Sequence, residues 1–184
     1  MRASRSSATG ALLVGRSGSG KTWVQRRLVE EHGFWSPLHV TTRSVDEGDV
    51  ATVHVAPDEF FAAVSAGDLI APMLFGASWH SWPGPDFERL CRADEPSVAI
   101  CRPYEALLLS AVQPRLLPVW LAAPAAVVTG RLSARAEPRD LDAAEAAARR
   151  THDDEDERYR PLLADVVASG DDAVVRILRL LGRP

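Results

Sequence analysis

Lysine is almost absent from this chain: among 184 residues there is one, Lys21, against twenty arginines. An arginine guanidinium is a planar fork, whereas an ammonium is a compact point charge that a narrow loop can cup. The one lysine therefore marks a position where arginine fits worst. Cysteine is nearly as scarce. Cys91 and Cys101 have no zinc-ligand spacing, and Cys101 ends an apolar run that reads as core, so a reduced, cytoplasmic protein is the expectation. No run approaches the roughly eighteen apolar residues of a membrane span. Residues 1–10 carry Arg and Ser but no apolar centre of a signal peptide, and we read them as a flexible tail ahead of one domain over 11–184. An excess of positive charge is missing too. The net charge of −4 and pI near 5.7 argue against a general nucleic-acid or membrane surface and require that anionic partners be met locally.

What is present is led by ALLVGRSGSGKTWVQRRL, residues 11–28. Ala11 to Val14 suit a buried strand, Gly15 to Gly20 are too glycine-rich for a helix, and Thr22 to Glu31 have helical spacing. Within that strand, loop and helix, Gly15-Arg16-Ser17-Gly18-Ser19-Gly20-Lys21-Thr22 fits the phosphate loop GxxxxGK[ST]. Its glycines let backbone N–H groups close around phosphate oxygens, and the helix N-terminus adds positive potential. The motif assigns Lys21 to the β- and γ-phosphates of a bound nucleotide and the Thr22 hydroxyl to Mg²⁺. A guanine-reading Asn-Lys-x-Asp motif needs a second lysine, which argues against a switch GTPase.

With 46% hydrophobic residues the chain can bury one sizeable core. The spacing predicts strands over 38–41, 50–56, 97–101, 116–122 and 165–168, with helices over 104–112, 124–135, 142–159 and 172–181. Val53 and Val55 are expected to face inward on the second of these strands. Pro57-Asp58 opens a short helix, 69–82 reads as short strands, and Pro83-Gly84-Pro85 breaks them before a helix over 86–92. Alternating strands and helices predict a parallel sheet covered on both faces, with ligands at the carboxyl ends of its strands.

Arg131 and Arg135, four apart on one helix, share a face just before the polar break at 137–141, and Arg149 and Arg150 follow it. Residues 131–150 thus read either as an arginine-lined lid or as solvated helices pairing their own acids. The acidic run Asp153 to Glu157 reads as a solvated helix face and not as the magnesium site. Trp79-His80-Ser81-Trp82 is either a substrate wall or a buried aromatic cluster.

The phosphate loop, Thr41-Thr42-Arg43, Asp58-Glu59-Phe60, Arg131-Leu132-x-x-Arg135, Arg150 and Glu157 together resemble the guanylate kinase superfamily across nearly the whole chain. Arg43 through Gly48 and Ser78-Trp79-His80 resemble its ribose 1,5-bisphosphate phosphokinase branch. The resemblance implies a P-loop NTPase three-layer α/β sandwich with a parallel sheet core, a small acceptor-binding subdomain near 38–82 and a helical lid near 131–150. It implies an ATP- and Mg²⁺-dependent kinase, monomeric or homodimeric, with Lys21, Arg43, Arg131, Arg135 and Arg150 acting in transfer. Arg43, Asp46, Trp79 and His80 are the expected acceptor contacts, and the expected acceptor is a small phosphorylated sugar. Guanylate kinases carry a second phosphate-binding Arg where this chain has Asp46, and two like charges near 4 Å repel by about 4 kcal/mol at an effective dielectric near 20. The strand Val98 to Arg102 also lacks the acid that supports Mg²⁺ in that family. The alternatives are a GMP-type nucleotide kinase and a nucleotide-binding module of the same fold with weak turnover.

Overall fold

The computed structural model describes residues 8–45, 49–136 (backbone alone for 132–136) and 151–184. β1 (Gly10–Val14) is buried at every position, and it lies between β6 (Ser97–Ile100) and β7 (Leu116–Ala122), parallel to both. β8 (Ala164–Val167) adds to the far edge of β7, giving the order β6-β1-β7-β8 with every pair parallel. A strand covered on both faces cannot alternate polar with apolar residues, which is why β1 reads as an unbroken apolar run.

The two faces of β1 feed two cores. Ala11 and Leu13 pack with Val24 and Leu28 of α1 (Lys21–His32) and with Val174 and Ile177 of α7 (Asp171–Leu180). Leu12 and Val14 pack on the other side with Leu90 of α3 (Gly84–Arg92) and with Ala106 and Leu109 of α4 (Pro103–Val112). The result is three layers, helices on both faces of a parallel sheet. Burying each of these Leu or Val side chains contributes roughly 1.5–3 kcal/mol.

A second sheet spans 39–83 in the order β3-β2-β5-β4. β2 (His39–Thr41) runs parallel to β3 (Thr52–His54) and antiparallel to β5 (Ser78–Pro83), which forms a hairpin with β4 (Leu69–Phe75). α2 (Pro57–Ala66) covers it through Phe60, which is fully buried with Val40 and Leu69. Glu59 accepts the Ala56 N–H at 3.2 Å and so caps the start of α2. Within the Asp58-Glu59-Phe60 triplet, Glu59 and Phe60 thus serve the local fold. Val53 departs from the inward face expected of it: β3 is a three-residue edge strand, and Val53 points to solvent while Thr52 lines a cleft. Residues 8–10, placed in the expected tail, belong to the fold, and residues 1–7 lie outside the described residues. Ala8 already packs on the core, Thr9 Oγ1 donates to the Ala93 carbonyl at 2.9 Å, and Gly10 belongs to β1.

α5 (Ala125–Ala136) follows β7. Residues 151–157 are helical and are labelled α6. Asp46, Arg150 and most of the expected lid lie outside the described residues, as does the side chain of Arg135.

Candidate active site

Between the two sheets lies a cleft at the carboxyl end of β1. On one wall Gly15, Ser17, Lys21 and Thr22 come together; on the other stand Arg43, Thr52 and His80. The phosphate loop is shaped by close backbone contact. A Cβ at Gly15, whose φ is +146°, would lie 2.3 Å from the Leu121 carbonyl oxygen of β7. At Gly20, the residue before α1, φ is +99° and a Cβ would meet the Arg131 guanidinium at 2.8 Å. Gly15 has no room for a side chain against the backbone of β7, and at Gly20 the left-handed backbone itself favours glycine. Lys21 Nζ donates to the carbonyls of Gly15 at 2.5 Å and Arg16 at 3.0 Å, and Arg131 donates to the Gly18 carbonyl at 3.3 Å. The buried Ser19 Oγ has no hydrogen-bond partner among the described residues. Two cations and an unsatisfied hydroxyl thus converge on a loop too tight for side chains, and this suits the oxygens of a phosphate chain.

On the opposite wall Arg43 donates to Asp49 at 2.6 Å. Asp49 is almost wholly enclosed, so the pair fixes the guanidinium in place. His39 and His80 stack at 5.1 Å, with Trp82 tilted against His39 at 6.3 Å. Burial, and then the Arg43 charge, push the His39 pKa down to about 4, so this imidazole stays neutral at physiological pH.

Trp79 is not in the cleft, contrary to the acceptor role expected for it. Successive side chains of a strand point to opposite faces. On β5, His80 and Trp82 face the cleft, while Trp79 packs against Phe60 and Phe61 of α2 at 6.5 and 5.2 Å between ring centres. The aromatic wall beside His80 is supplied instead by Phe75 and Trp82. The expectation placed two neighbours of one strand in one pocket, which the pleat does not allow.

The larger correction concerns the acidic run. Asp153 and Asp156 are buried and line the cleft, whereas Asp154 and Glu155 are exposed. Asp153 accepts the Ser17 N–H, and Asp156 pairs with Arg102 at 2.6 Å. Arg102 stands just past β6, where an acid was expected and found wanting. Glu105, in the first turn of α4, accepts the Arg102 N–H at 2.9 Å, so two carboxyls share one arginine. Burial raises the Asp156 pKa against the pull of Arg102. For Glu105, burial outweighs the Arg102 N–H and charge and pushes the pKa up to about 7. A carboxyl that keeps its proton in the folded state but loses it near 4.5 when unfolded makes the native state bind more protons. Glu105 accordingly costs stability progressively as pH rises from about 4.5 to about 7. We expect Glu105→Gln, which keeps an acceptor for the Arg102 N–H, to gain at most about 3 kcal/mol on wild type across that window, a tenfold displacement of a proton equilibrium being worth about 1.4 kcal/mol. Urea unfolding at a series of pH values measures it. A constant difference between the two proteins would show that Glu105 does not hold its proton.

No group of three or more His, Cys, Asp or Glu side chains is arranged to hold a metal among the described residues. Thr22 lines the cleft with Asp153 and Asp156, which fits an ion held chiefly by phosphate oxygens and water, as magnesium commonly is. No helix among the described residues is long and apolar enough to cross a membrane.

No family profile matches the chain, and no curated protein matches it. Solved structures do. A guanylate kinase from Anaplasma phagocytophilum superposes with a TM-score of 0.66 at 18% identity, over 95% of this chain and 86% of that one. A sugar kinase from Janibacter sp. HTCC2649 gives 0.51 at 20% identity, over 95% of each chain. With its phosphate loop between a parallel sheet and α1, this chain has the α/β fold of the P-loop kinases.

Proposed function

We propose that the protein is an ATP-dependent kinase that transfers the γ-phosphoryl group to a small phosphorylated acceptor, a pentose phosphate of the ribose 1,5-bisphosphate kind. The observation that carries this reading is one cleft with a phosphate loop on one wall and a fixed arginine, Arg43, on the other. A donor chain of phosphates suits the first and an acceptor phosphate the second. Lys21 and Arg131 would neutralise charge on the donor, Arg43 would hold the acceptor anion, and Arg135 and Arg150 are proposed to join them. Asp46 would set a negative charge against a second acceptor phosphate contact of the guanylate kinase type. Thr22 would hold Mg²⁺ together with donor oxygens, and the ion supplies charge neutralisation when bound.

An acceptor phosphate is already ionised, so an oxygen of it can attack the γ-phosphorus directly while the bond to the β–γ bridging oxygen breaks and ADP leaves. No general base is needed for that step. The protein's part is positioning and electrostatics: two walls of cations hold like-charged partners in line, and the aromatic side chains between them exclude water. His80, on the wall that carries Arg43, would hydrogen-bond an acceptor hydroxyl or phosphate.

The test is kcat/KM, read as ADP release, for ribose 1,5-bisphosphate and related pentose phosphates against GMP under one ATP and Mg²⁺ condition. Pentose phosphates should be consumed at least tenfold more efficiently than GMP. Efficient GMP phosphorylation, or pentose phosphates left untouched while another class of acceptor is used, would overturn the acceptor assignment.

A further inference from the structure

α6 touches both the phosphate loop, more than a hundred residues before it in the chain, and the β4–β5 turn. Asp153 lies on the loop itself: its two oxygens accept the Ser17 N–H at 3.1 and 3.2 Å, and Oδ1 is 3.4 Å from Ser17 Oγ. Asp154 pairs with Arg16 at 2.9 Å. One residue before Asp153, His152 Nδ1 accepts the Gly76 N–H of the β4–β5 turn at 3.1 Å, and its ring stacks on Phe75 at 5.3 Å. A phosphate loop works by offering its N–H groups to an anion. Here the Ser17 N–H is given to a carboxylate of the chain, inside the cleft and 8% exposed. It lies at the end of the loop where Lys21 Nζ rests on the Gly15 and Arg16 carbonyls, away from the α1 N-terminus.

Resting on the reading of this loop as the donor site, we infer that Asp153 is an internal anion seated at the terminal-phosphate end of that site, and that it selects donors by their capacity to displace it. A triphosphate reaches the Ser17 N–H and must expel a like charge. A diphosphate stops short and leaves Asp153 in place. Because Asp153 and His152 share one helical turn, expelling the first also loosens the hold of the second on the hairpin that carries Phe75 to the acceptor wall. The acid thus acts as a specificity-determining group on the donor side, with a mechanical link to the acceptor side.

Calorimetric binding of a non-hydrolysable ATP analogue and of ADP, with and without Mg²⁺, tests this on wild type, Asp153→Asn and Asp153→Ala. Asp153→Asn keeps an acceptor for the Ser17 N–H and removes only the charge. Both variants should bind the triphosphate about tenfold more tightly, the scale of one partly screened like-charge contact, and ADP within about twofold of wild type. Asp154→Asn, on an exposed pair, should leave both ligands within about twofold. Unchanged triphosphate affinity in Asp153→Asn would overturn the inference. So would weaker binding of both nucleotides in Asp153→Ala alone, which marks a structural anchor, or weakening seen only with Mg²⁺, which marks a metal ligand. These are equilibrium measurements: failure of phosphoryl transfer would remove the kinase reading and leave the affinity result standing, whereas absence of nucleotide binding in all proteins would remove both.

Discussion

Lys21→Ala should lower phosphoryl transfer on the order of 10²-fold or more in kcat while the protein still folds, as a single electrostatic donor does where charge grows in a transition state. The ammonium is held by two loop carbonyls and lies in the cleft with Thr22, so its loss removes charge stabilisation at the donor and leaves the packing of β1 and α1 intact. Lys21→Arg should not rescue, because the planar fork is wider than the loop that cups the ammonium. The measurements are kcat by ADP release and a thermal melt. Turnover within a few-fold of wild type would take Lys21 out of the chemistry.

Arg43→Ala should raise the KM for the phosphorylated acceptor on the order of 10²-fold, with the KM for ATP within a few-fold. Two effects add. The acceptor loses a cation, and Asp49, enclosed beside it, loses its guanidinium partner and presents a negative charge to an anionic ligand. Arg43→Ala combined with Asp49→Asn removes the second effect, so the double variant should recover part of the lost affinity. Equal KM values in wild type and Arg43→Ala would place the acceptor elsewhere in the cleft.

The phosphate loop and the two-faced sheet were legible because each is written in neighbouring residues. An unbroken apolar run is what a strand covered on both sides requires, and the GxxxxGK[ST] spacing binds loop to helix within one short stretch. β7 and α1 stand close to where periodicity places them. The second sheet was less legible. Its assembly depends on antiparallel pairing between β2 and β5, about forty residues apart, and the pleat of β5 decides that His80 rather than Trp79 faces the cleft. The buried acids were hidden by their own neighbours. In Asp153-Asp154-Glu155-Asp156-Glu157 every position is acidic, so composition points to solvent, yet the three-residue offset of Asp153 and Asp156 sets both on one helical face. A signal was present at Arg102: an arginine where an acid belongs needs a carboxylate from elsewhere, and Asp156 supplies it.

The placement of β1 also bears on how the chain is made. Synthesis runs from the N-terminus, and β1 emerges well before β6 and β7, the two strands between which it is inserted. At translation rates of roughly 5–20 residues per second, the interval between Val14 and Ser97 amounts to roughly 4–17 s. For that time five residues destined for complete burial have no sheet to join. The nascent protein therefore passes those seconds with the future centre of its sheet uncovered, and a holding chaperone that grips short apolar segments would find a target in the residues that lead into the phosphate loop.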